Sequence, residues 1–356
     1  MRSRRLLSRS LVLVMWSAAA ITSAVACGSF SGAAADGDDA GADAAPGVEG
    51  GLTDGAPTPD ARGVDDASAP LVPPVELASG FVDLSGIAVT ESMVYVAERT
   101  PGRVIEVSLA GGSVSQVAGG AGSPTGLAVA GTYLFWCDFG GETISRRPLA
   151  GGQITTVHPT PGKASFQIAP ASDRIVTVAL GAGDIGEAQQ FTFDLTSGPS
   201  VGGLSNPYDV AVLGGNIYWT ESSTGRIGQG KTGDGTNLTF AQKETDCESI
   251  AADSSGVYWA KPQSSTIRQA AVGGGGMRDL STAESKPHSL AADGLSLYWL
   301  TSDGKVRRST HAGGAKTTLA AGYQTSFIDA HVQALALTSQ YVVWITTDGR
   351  ILRVDK

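Results

Sequence analysis

The chain has 356 residues, of which 42% are apolar, 17% are charged and 48 are glycine, and its formal net charge is -9. That length holds one large domain or two ordinary ones, and the apolar fraction suffices for a real core. The acidic balance argues against nucleic acid as a partner, while abundant glycine with few runs at helical spacing favours short strands joined by tight turns.

Residues 1–26 read as an export signal. Arg2, Arg4, Arg5 and Arg9 give a basic start, the apolar run 11–21 is too short for a stable membrane span, and Ala24-Val25-Ala26 forms a small-residue cleavage site. The stretch SRRLLSR at 3–9 resembles the twin-arginine export motif, which leaves the export route open. Ala24-Val25-Ala26-Cys27 resembles the lipobox of bacterial lipoproteins, and this resemblance implies a lipid on Cys27. The same Ala-x-Ala suits ordinary signal peptidase, so simple secretion is the alternative.

Residues 27–74 carry nine acids against Arg62 alone, in a background of Ala, Gly, Asp and Pro with almost no aromatic residue. Such a segment buries too little to fold. It is expected to act as a disordered acidic spacer between a lipid-anchored end and the folded domain, with a root-mean-square reach of roughly 35 to 40 Å. The localisation implied is the bacterial cell envelope, with the membrane touched through the anchor alone.

From residue 75 to 356 the chain repeats. A three-residue unit that ends in an aliphatic-Ala pair starts at Gly86, Gly126, Gln167, Asp209, Ser249, Ser289 and Ala334, at intervals of 40, 41, 42, 40, 40 and 45. The third position is always Ala (Ala88, Ala128, Ala169, Ala211, Ala251, Ala291, Ala336). Eight residues later stand Trp136, Trp219, Trp259, Trp299 and Trp344, with Val96 and Thr177 in the other two repeats. A period near 40 with four short strand patterns per unit predicts an all-β, seven-bladed β-propeller. The alanine is expected to make room for an aromatic ring of an adjacent blade. The last repeat lacks a fourth strand, and VELASG at 75–80 resembles the fourth-strand segment TTLAAG, so the N-terminal piece is expected to close the last blade.

IYWTES, LYWLTS and SGIAVTESMVYVAE resemble the YWTD repeats of lipoprotein-receptor propellers and the NHL repeats. The resemblance spans about 280 residues and implies the propeller. It leaves activity open, because this fold carries binding, scaffolding and enzymatic roles alike.

Three familiar motifs dissolve in the repeat. GRIGQGKT at 225–232 matches a phosphate loop, but its first glycine falls in the turn between second and third strands and no helix follows Lys231. The dinucleotide-type pattern at 181–186 and the hydrolase-type Gly198-Pro-Ser-Val-Gly202 open no helix either. Nucleotide is therefore not expected. Cys137 and Cys247 fall in blades nearly opposite each other and read as isolated thiols. His158, His288, His311 and His331 lack zinc spacing and read as solvated loop residues.

Function is expected on the face where the repeats vary. Residues 179–190 and 322–331, Asp184 and His331 among them, exceed repeat length and are expected to be loops overhanging the channel mouth. Phe166, Tyr208 and His288, each one residue before its inner strand, are expected to line that mouth beside Glu248. Glu98, Asp138 and Glu221 stand two residues after the Trp position. They read as polar strand ends or, facing the mouth together, as a weak oxygen-ligand site for calcium or magnesium. The sequence thus favours a monomeric, non-enzymatic binding or scaffold module without a cofactor, its partner an unknown protein or glycan of the envelope. A metal-dependent lactonase-like or lyase-like enzyme is the alternative.

Overall fold

The computed structural model describes residues 71–327 and 331–356. The expectations for the signal, Cys27 and nearly all of the tether lie outside the described residues. What is described forms seven four-stranded antiparallel sheets. Their innermost strands are Leu84–Val89, Pro124–Ala130, Lys163–Pro170, Pro207–Leu213, Ile250–Asp253, Pro287–Ala292 and Leu335–Leu337. Each touches the next and the seventh returns to the first, which closes a seven-bladed propeller around a channel.

The closure follows the sequence expectation. Val75–Ser79 pairs antiparallel with Arg350–Asp355, matching Val75 to Arg353 and Ser79 to Arg350, and so supplies the fourth strand of blade seven. Leu77 is buried there with Ile351 and Leu352, and the pairing covers the edge of Arg350–Asp355 that would otherwise be left open.

Blades pack face to face through the repeated pair. Ala88 clusters with Leu127 and Trp136 of the next blade, Ala169 with Val210 and Trp219, Ala211 with Ile250 and Trp259, and Ala251 with Leu290 and Trp299. The alanine methyl leaves space for the neighbour's indole, since interiors pack to crystal-like density. An indole removes roughly 200 Å² from water, worth about 5 kcal/mol at 25 cal/mol per Å². Trp219, Trp259, Trp299 and Trp344 are completely buried and therefore pin one blade each.

The phosphate-loop look-alike owes its glycines to this packing. Residues Arg226–Lys231 form the third strand of blade four. A Cβ on Gly228 would lie 2.1 Å from Cε2 of Trp219, and one on Gly230 would lie 2.6 Å from the Thr236 carbonyl oxygen. Gly225 turns the chain at φ +63. Only glycine lets the indole lie flat on the strand.

Blade three corrects one expectation. Residues 179–190 are not a loop: Arg174–Gly181 and Ile185–Thr192 run as paired eight-residue strands joined by a single turn of 3-10 helix at Ala182–Asp184. The extra length went into hydrogen-bonded hairpin, in which Arg174 pairs with Thr192 and Leu180 with Gly186. Gly186 fits there because a Cβ would meet Pro207 Cγ at 2.3 Å.

Candidate functional site at the channel mouth

Inner strands enter the ring through irregular pairing. The ladder slips at Ser165/Gln167, at Pro207/Val210 and at His288/Ala291. A bulge inserts unpaired residues and re-aims side chains. Phe166, Tyr208 and His288 therefore lie inside or at the edge of such bulges within their strands, rather than before them as the repeat suggested.

The bulges also carry a polar belt that joins blade to blade. Ile250 N and Ser249 Oγ donate to Asp209 Oδ2 at 2.9 and 3.2 Å, and Leu290 N donates to Ser249 Oγ at 2.9 Å. Ala334 N donates to Ser289 Oγ at 3.1 Å, and Ser289 Oγ to the Val332 carbonyl at 3.1 Å. Asp209, Ser249 and Ser289 each hold the position just before the aliphatic-Ala pair. In blades one and two that position is Gly86 and Gly126, where a Cβ would press on the Thr125 and Phe166 carbonyl oxygens at 2.5 and 2.6 Å. Sequence reasoning missed this belt, although the column of small and polar residues was its signal.

One side chain crosses the mouth. His331 stacks on Tyr208 with ring centroids 4.4 Å apart and planes at 29°, and meets Phe166 edge-on at 4.5 Å and 65°. Gln167 Nε2 donates to the His331 carbonyl at 2.6 Å, tying the end of the long 322–334 connection to blade three. Burial raises the Glu248 carboxyl, opposed by the Tyr208 hydroxyl and by His331 and Lys286. His288 lies edge-on to Phe327 at 6.1 Å, and burial pushes its imidazole down to about 4 against a Thr325 main-chain bond. Buried Asp209 is pushed up to about 6, the amides of Ile250 and Val210 opposing burial. Beneath the mouth the channel holds about 370 Å³, walled mainly by Leu127, Ile168, Val210, Ile250, Leu290 and Leu337.

The structure thus brings Phe166, Tyr208, Glu248 and His331 together. Asp184 sits apart at the hairpin tip of blade three, at φ +58, its carbonyl accepting Asn206 N at 2.7 Å. His158 is an exposed loop residue as expected, but the other three histidines are not simply solvated: His288 and His331 are engaged as described, and His311 Nδ1 lies 2.7 Å from the Tyr258 hydroxyl with Nε2 3.0 Å from Asp253. Cys137 and Cys247 are both free and buried, and burial pushes the Cys247 thiol up to about 12.

Glu98, Asp138 and Glu221 are each engaged by main-chain amides or by an arginine close by. Glu98 accepts Val82 N at 2.8 Å and pairs with Arg103; Asp138 accepts the amides of Gly122, Ser123 and Gly141. Glu221 accepts Ser205 N and the Trp219 indole N–H, each at 3.0 Å, and pairs with Arg226. Each carboxylate is used up fastening the connection into its own blade, so the strand-end reading holds. Among the described residues no group of three or more His, Cys, Asp or Glu is set to hold a metal ion.

In structure the chain is similar to virginiamycin B lyase from Staphylococcus aureus, at 13% identity and a TM-score of 0.66 over 80% of this chain and 98% of that one. It is similar to a streptogramin B lyase at 14% and 0.66, covering 80% and 96%, and to the WD40 β-propeller domain of Doa1 at 12% and 0.63, covering 79% and 96%. Likeness at these identities carries the fold alone. No family model matches the chain, and no curated protein matches it in sequence.

Proposed function

We propose that the protein is an envelope-tethered, non-enzymatic binding module, anchored through lipid on Cys27, that recognises a protein or glycan partner at the channel mouth. One observation carries this reading. The carboxylates that recur with the repeat are consumed by the scaffold, whereas Phe166, Tyr208, His331 and Glu248 meet at the mouth without a repeat-wide structural duty. Aromatic faces beside one acid suit recognition more than hydrolysis, which needs a positioned nucleophile or metal. Capture from envelope extract tests it: the partner held by the wild type is expected to be lost with Tyr208→Ala. Equal capture by both proteins moves the site off this mouth.

A lyase reading has one specific support. Two histidines and Glu248, its carboxyl raised by burial, share the mouth, and among the similar structures is a virginiamycin B lyase whose H270A variant is described as catalytically inactive, with quinupristin. Incubating the protein with quinupristin and Mg²⁺ or Ca²⁺, followed by mass spectrometry, tests this; an unchanged substrate mass, with a melting midpoint indifferent to either cation, removes it.

A further inference from the structure

His331 is placed as a ligand would be. Its imidazole reaches blades three and four from the connection that enters blade seven. There it lies against the face of Tyr208 at 4.4 Å, with Phe166 closing the side at 4.5 Å. Near it stand the carboxyls of Glu248 and Asp209, with Lys286 a further cation near Glu248. The second imidazole of the mouth, His288, has the Phe327 edge at 6.1 Å, a serine hydroxyl at 3.1 Å and the Thr325 main chain beside it. The two histidines differ in what surrounds them, not in their chemistry. Only one lies between aromatic faces and acids.

We propose that Phe166, Tyr208 and Glu248 form a recognition slot for a planar cationic group of a small ligand, an imidazolium or guanidinium, which His331 fills as a built-in stand-in. This rests on the mouth being the recognition face. Flat cations gain from the electron-rich face of an aromatic ring and from a neighbouring carboxylate at once. A neutral ring fills the same space without the charge term. A compact ammonium gains the charge but loses the stack. The Asp209 carboxyl is committed to Ile250 N and Ser249 within the belt, so Glu248 is the acid that discriminates between ligands.

The test removes the stand-in and supplies its chemistry from solution. In the full-length protein, His331→Ala is expected to melt below the wild type and to recover with imidazole or methylguanidinium at millimolar concentrations, because binding to the folded state alone stabilises it. The apparent affinity for methylguanidinium is expected to fall at least fivefold when Glu248→Gln is added, and the wild type, its slot occupied, is expected to respond less than His331→Ala. Should His331→Ala not fold, His331→Gln is read in the same way. A variant indifferent to both cations overturns the proposal, and so does a response that toluene reproduces or that Glu248→Gln leaves unchanged, since that describes a void and not a slot. The titration needs no partner, so its failure leaves the binding-module reading standing, and failed capture leaves the slot standing.

Discussion

In blades four, five and six a carboxylate meets the indole N–H of the second-strand tryptophan and a third-strand arginine together: Glu221 with Trp219 and Arg226, Glu244 with Trp259 and Arg268, Glu284 with Trp299 and Arg307. At the mouth Glu248 has the Tyr208 hydroxyl and, further off, Lys286 and His331. Both sets pair an acid with aromatic rings, yet one is saturated and the other is not. A buried acid with every lone pair claimed holds a scaffold; one with a tyrosine hydroxyl beside it and no such set of donors has capacity to spare for something that arrives.

Removing a saturated acid should give the largest effect. Glu284 is buried and accepts the Ser281 hydroxyl, the Trp299 indole, Arg307 and Lys316. Glu284→Ala removes the buried carboxylate that Arg307 and Lys316 both meet, a change that costs about 3 to 5 kcal/mol. Denaturant titration should register that loss. A loss under 1 kcal/mol would mean that the latch is ornamental and would erase the contrast with the mouth.

Acid conditions separate two buried groups of the mouth by sign. His288 holds its proton less tightly folded than unfolded, so its contribution is present above pH 6.5 and is lost as pH falls toward 4. Asp209 is shifted the other way: its contribution is present below pH 3.8 and is lost as pH rises through about 6. Each is worth at most about 3 kcal/mol, the His288 figure less for its partial exposure. Compared with the wild type, His288→Gln should therefore lose less stability between pH 7 and pH 4.5, and Asp209→Asn should lose more. Denaturation curves for the three proteins at both values check this, and slopes in the reverse order would mean that neither group is buried as described.

How legible this was depends on how far apart the interacting groups lie in the chain. The period, the alanine and the tryptophan announced the blades because every blade repeats the same packing problem, and VELASG announced the closing strand because it copies the segment it replaces. Glu221 was visible at Trp plus two, but Glu244 and Glu284 do the same work from 15 residues before the tryptophan, so one alignment column could not collect them. The belt was hidden for a related reason: Asp209 meets Ile250 and Ser289 meets Ala334 across whole repeats, and a hydrogen bond between neighbours leaves only a faint bias toward small and polar residues. The 179–190 hairpin was misread because Gly-Ala-Gly-Asp looks like open loop when only Ala182–Asp184 are needed to reverse the chain. Phe166, Tyr208 and His331 were all singled out in the sequence, but that the His331 ring lies against the other two depends on the path of a long connection, which the repeat does not determine.

The smallest expected change in stability is the sharpest test of the comparison. Glu248 is partly exposed, and burial raises its carboxyl instead of stabilising its charge. Glu248→Gln keeps the shape and an acceptor for the Tyr208 hydroxyl while removing only the charge, so the folded state should shift by no more than about 0.5 kcal/mol, as surface substitutions usually do. In the same protein the attraction for a planar cation should be gone. A variant as stable as the wild type that no longer discriminates methylguanidinium from toluene once His331 is also removed would identify an acid kept for recognition. A loss near that of Glu284→Ala would instead place Glu248 among the latches, and the mouth would then be one more layer of scaffold.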